Sequence, residues 1–76
     1  MNIYEELSKV RGHGLNMLAV LKQAANSGHS QTEAIDALDK LFEEACAEGK
    51  EEEADIVVQV RDVANNFCRP EMRIWD

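Results

Sequence analysis

The sequence predicts an all-α protein, a small three-helix bundle with a short C-terminal tail, in one domain over residues 1–76. Three observations carry that expectation. Apolar residues recur at spacings of three and four. Gly28 and Gly49 divide the periodic pattern into three stretches, and the single proline, Pro70, follows the last. The chain is short, and its aromatics are only Tyr4, Phe42, Phe67 and Trp75. It therefore has room for one small core of Leu, Val, Ile, Ala and Met.

The first helix is expected over about residues 2–26. Ile3, Leu7, Val10, Gly14, Met17, Leu21 and Ala24 form a heptad seam, widened by Tyr4, Leu18 and Val20. Gly28 suits the left-handed position that ends such a helix. Gly12-His13-Gly14 interrupts the pattern. Each glycine costs about 1 kcal/mol relative to alanine in a helix interior. Close approach of another backbone could offset Gly14, which lies on the seam. Gly12 lies on the outer face and gains nothing there. The pair predicts a bend near residues 11–14, or else a straight helix with Gly14 at a tight crossing. His13 flanks the seam and is expected at a helix–helix contact, with a pH-sensitive or partner contact as the alternative.

The second helix is expected over 30–48. Ser30 followed by Glu33 is a capping-box pattern. The seam is Ile35, Leu38, Phe42 and Ala45, flanked by Leu41 and Cys46. The third helix is expected over 51–68. Glu51, Glu52 and Glu53 suit the positive end of its dipole. Its seam is Ile56, Val60, Val63 and Phe67, and Arg69–Pro70 ends it. The β-branched run from Ile56 to Val60 resembles a strand locally, but the helical spacing continues beyond it. In the tail, Trp75 either folds back to plug the bundle or anchors a partner.

A straight first helix of about 24 residues would span roughly 36 Å at 1.5 Å per residue, against roughly 27–28 Å for the others. Either it bends or a second subunit covers the overhang. Self-association as a homodimer is the expectation, with Val10, Gly14, Met17, Leu18 and Leu21 at the dimer or close-packing surface.

The formal net charge is −7. That disfavours direct contact with nucleic acid, which requires clustered Lys and Arg, and with anionic membranes. Acid concentrates between Asp36 and Asp55. Asp36, Asp39, Glu43 and Glu44 form either a solvated face or, with Trp75, a surface for a basic protein partner.

No spacing of His, Cys, Asp or Glu suggests a metal site, and no nucleophile, phosphate-loop or dinucleotide motif is present. No cofactor and no catalysis are expected. The N-terminus carries charge where a secretory signal would be apolar, so a cytoplasmic protein with reduced thiols is expected. Cys46 is expected to be buried and Cys68 more exposed. The function expected is that of a small acidic accessory protein working by protein–protein interaction. The alternative is an acidic inhibitor or antitoxin-like regulator that imitates nucleic acid before a basic binding protein.

Overall fold

The Asn2 side chain starts the first helix by accepting a hydrogen bond from the Glu5 N–H at 3.1 Å. That satisfies one of the donors a helix N-terminus leaves open. The computed structural model describes residues 1–75, and they hold four α-helices rather than three. They are α1 (Ile3–Lys9), α2 (Gly14–Asn26), α3 (Gln31–Ala47) and α4 (Glu51–Ala64), followed by a 3₁₀ turn over Pro70–Met72. The single long first helix is therefore corrected to two.

Gly12 is the physical reason. Its φ is +91°, a left-handed conformation in which a right-handed helix cannot continue. The bonds from Val10 N to Leu7 O and from His13 N to Val10 O tighten the chain around it. The bend alternative is the one observed. Gly14 does not sit at a tight backbone crossing. A Cβ there would meet the Ile56 side chain at 3.6 Å, an ordinary contact.

The break sends the two halves to different neighbours: α1 packs on α3, and α2 packs on α4. The seam nevertheless survives, with Ile3, Leu7, Met17, Leu21 and Ala24 all buried. The overhang expected of a straight first helix disappears.

Three helices end in the same way. The bonds His29 N to Ala24 O, Lys50 N to Ala45 O and Phe67 N to Asp62 O each close a wide ring around a left-handed residue. Those residues are Gly28, Gly49 and Asn66. Asn66 therefore stops α4 before Pro70 can, and α4 ends at Ala64 rather than near residue 68. Phe67 leaves the helix and is 76% exposed, so it is not a core residue.

The faces of α3 and α4 are also turned from those expected. The buried face of α3 is Ala34, Ala37, Leu38, Leu41 and Ala45, and that of α4 is Ala54, Val57, Val60 and Ala64. Ile35, Ile56 and Val63 move to the margins, and Phe42 is 36% exposed. Alanine-rich faces let two helices approach closely, which large side chains on the same line would prevent. Cys46 is carried outward next to buried Ala45, whereas Cys68 is half-buried with its Sγ 3.8 Å from the Val63 carbonyl. The two thiols thus reverse their expected environments.

Ser30 caps α3 as predicted, its Oγ accepting from the Glu33 N–H at 3.2 Å. The Gln31 side chain then donates to the Ala64 carbonyl at 2.6 Å, joining the start of α3 to the end of α4. Trp75 folds back, and its Nε1 donates to the His29 carbonyl at 3.0 Å while its ring packs on the core. Among the described residues, no helix is long and apolar enough to cross a membrane.

Candidate protein-binding groove

The arrangement of α2 beside α4 leaves a groove of about 380 Å³ between them. Gly14, Leu15 and Leu18 of α2 line it, with Ile56, Val60 and Val63 of α4, and Met72 of the 3₁₀ turn also contributes. The missing side chain at Gly14 widens the groove mouth rather than admitting a backbone. Leu15 is 84% exposed at the rim and Met72 is 44% exposed. Scattered apolar residues on a surface are ordinary, whereas Leu15 and Met72 both stand at one apolar trough.

The residues proposed from sequence for dimerisation or close packing fall into two sets. Gly14 and Leu18 line the groove. Met17 and Leu21 are fully buried in the chain's own core, and Val10 is half-buried at the end of α1. Those three pack within the chain. Leu15 carries the most exposed apolar surface at the groove and lies off the heptad seam, so periodicity alone does not single it out.

The acidic face expected on α3 is partly occupied within the chain. Asp39 accepts from Arg61 Nε, and Glu44 accepts from the Tyr4 hydroxyl. That bond, first of all, raises the Tyr4 pKa above its usual value. Lys40 sits 4.8 Å from the Tyr4 ring centroid, a cation–π contact. Asp36 and Glu43 are exposed and form no ion pair among the described residues. Trp75 takes the plugging position rather than standing free as an anchor.

A second, larger cleft of about 650 Å³ lies where α1 meets the start of α3, lined by Tyr4, His29, Glu33, Asp36 and Lys40 among others. There His29 Nδ1 lies 2.7 Å from the Glu33 carboxylate. The hydrogen bond with His29, the largest influence, holds the Glu33 carboxyl below its usual pKa. This pair joins the α2–α3 turn to α3, and Ser30 beside it is engaged as a cap. His13, by contrast, is exposed at the start of α2 and does not reach the expected helix–helix contact, because the turn at Gly12 swings it outward.

The strongest electrostatic cluster is at the other end. The half-buried Arg11 guanidinium contacts Glu48 and Glu53, and Lys50 also approaches both carboxylates. The Arg11 bonds to Glu48 and then to Glu53 raise the Arg11 pKa. The Arg11–Glu48 bonds, the largest influence, bring Glu48 down to about 2. This cluster clamps the α1–α2 and α3–α4 turns together. Among the described residues, no three His, Cys, Asp or Glu side chains gather as a metal site.

No protein-family model, no curated protein and no solved structure matches this chain.

Proposed function

We propose that this chain is a small protein-binding module that works without catalysis, with the groove between α2 and α4 as its contact surface. The observation that carries the reading is Leu15, a large apolar side chain standing almost wholly in water at the rim of an apolar trough. Covering it and its neighbours removes apolar surface from water, worth about 25 cal/mol per Å² before the costs of association. The polar clusters elsewhere support the same reading, since Arg11, Tyr4, Arg61 and His29 hold pairs that fasten one element to another.

Self-association through this groove is the alternative reading. With the first helix broken, no overhang asks for a second subunit. The reading as an acidic inhibitor has less support on α3, where Asp39 and Glu44 already have partners in the chain.

A photo-crosslinking residue placed at position 15, and separately at exposed Thr32 on α3, tests the proposal in cells. Protein adducts are expected at 15 and not at 32. Adducts with the chain itself would identify self-association, and foreign adducts a separate partner. Equal yields at both positions would remove the groove as the contact surface.

A further inference from the structure

The groove has an acidic rim on its α4 side. On α4, Asp55, Gln59 and Asp62 stand at i, i+4 and i+7, one stripe along the helix, and Glu52 precedes Asp55 by three. Gln59 lines the groove itself, so the stripe runs along its edge. Glu52, Asp55 and Asp62 are exposed, and none forms an ion pair among the described residues. On the opposite rim, one turn beyond Leu18, stands Lys22, which with Arg73 lines a small neighbouring pocket.

Resting on the groove reading above, we infer that the occupant is an amphipathic helix of another protein, apolar on one face and cationic along the flank that meets α4. The shape argues for a helix. Ile56 to Val63 covers about 10 Å of helix axis at 1.5 Å per residue, two turns, which matches anchors at i, i+4 and i+7. The charge argues for the cationic flank. Three unpaired carboxylates along the edge attract Lys or Arg and repel acid, and they set the orientation in which a helix lies down. The same charge argues against a second copy. A two-fold pairing would bring a further formal charge of −7 and the same acidic stripe to this rim, with few cations to meet them.

Three synthetic helical peptides test the inference. The first carries leucines at i, i+4 and i+7 with lysines along one flank. The second replaces those lysines with glutamates. The third has the composition of the first with its leucines scattered. Binding is followed by amide chemical shifts and by titration at two salt concentrations. The first peptide is expected to shift Gly14, Leu15, Leu18, Ile56, Gln59 and Val63, to bind at least about tenfold tighter than the second, and to weaken with salt. Asp55→Lys with Asp62→Lys is expected to reverse the preference. Asp55→Asn with Asp62→Asn, a milder change, is expected to abolish it should the first variant unfold. Leu15→Asp is expected to weaken the first peptide without lowering the melting temperature.

Equal binding of the first and third peptides would overturn the inference, since charge alone would then account for it. Equal binding of the first and second in the groove would overturn the cationic flank and leave the groove reading standing. So would groove shifts that depend only on the concentration of the protein itself, which would name a second copy as the occupant. No shift at the groove with either leucine-patterned peptide or with concentration would remove both the inference and the groove reading beneath it.

Discussion

Arg11 holds Glu48 with two parallel hydrogen bonds, Nη1 to Oε2 at 3.0 Å and Nη2 to Oε1 at 2.8 Å, across 37 residues of chain. Nε of the same guanidinium reaches Glu53 at 3.1 Å. A planar donor fork facing a carboxylate is the geometry in which arginine surpasses lysine. It fastens the turn created by Gly12 to the turn between α3 and α4.

That fork makes stability depend on acid. Glu48 has its pKa lowered to about 2 in the folded chain from the ordinary 4.5, first through the Arg11 bonds. A carboxylate that releases its proton more readily when folded contributes fully above its unfolded pKa, and the contribution fades as pH falls through the folded value. Glu48→Gln is therefore expected to lower the urea midpoint at neutral pH. Its curve should converge on that of the parent below pH 2. Glu33, also held low, titrates in both proteins and leaves the difference unchanged. Parallel midpoint curves across this range would disprove the coupling.

The two glycines near the break are expected to respond in opposite directions. At Gly12, alanine would have to hold φ near +91°, and its Cβ would lie 3.0 Å from Glu53 Cγ. A loss of about 1 kcal/mol or more is expected. At Gly14, the first residue of α2, a Cβ finds ordinary contact with Ile56. There alanine is expected to add about half a kcal/mol. Denaturant unfolding of the two variants checks the signs.

Asn66 has φ of 66° and a buried Oδ1 with no hydrogen-bond partner among the described residues. Glycine takes that conformation without steric cost and removes the unpaired oxygen. Asn66→Gly is expected to raise stability by about 0.5–1 kcal/mol. An unchanged or lower melting temperature would show that the asparagine has a compensating role.

Leu38 is fully buried between its neighbours, and Leu38→Ala is expected to cost about 2–5 kcal/mol. Phe67→Ser is expected to change stability by less than about 0.5 kcal/mol, although phenylalanine is the larger side chain. A comparable loss at both positions would mean that Phe67 packs in solution.

The helical class and the caps at Ser30, Gly28 and Gly49 were legible because local chemistry decides them. The first seam was legible for the same reason, and it kept its face across the break. The break itself was visible only as two unexplained glycines, since the carboxylate beneath Gly12 comes from Glu53, far along the chain. The faces of α3 and α4 were misread because Phe42 and Phe67 dominate any hydrophobicity pattern. Ala34, Ala37, Ala54 and Ala64 set the contact instead, and alanine is equally common on solvent faces. Of the groove, Gly14 and Leu18 were legible from their place on or beside the seam. Leu15 and the α4 rim were not, because a groove is defined by what two helices fail to cover.

The three left-handed helix ends turn the chain within a few residues, and the one at Gly49 lays α4 directly on α3. Most of the native helix then forms through local contacts, with little loop closure to wait for. The expected folding time is on the order of microseconds to milliseconds. The fork between Arg11 and Glu48 and the clasp from Trp75 to His29 join distant parts of the chain. They are expected to form late, so weakening either should hasten unfolding far more than it slows folding.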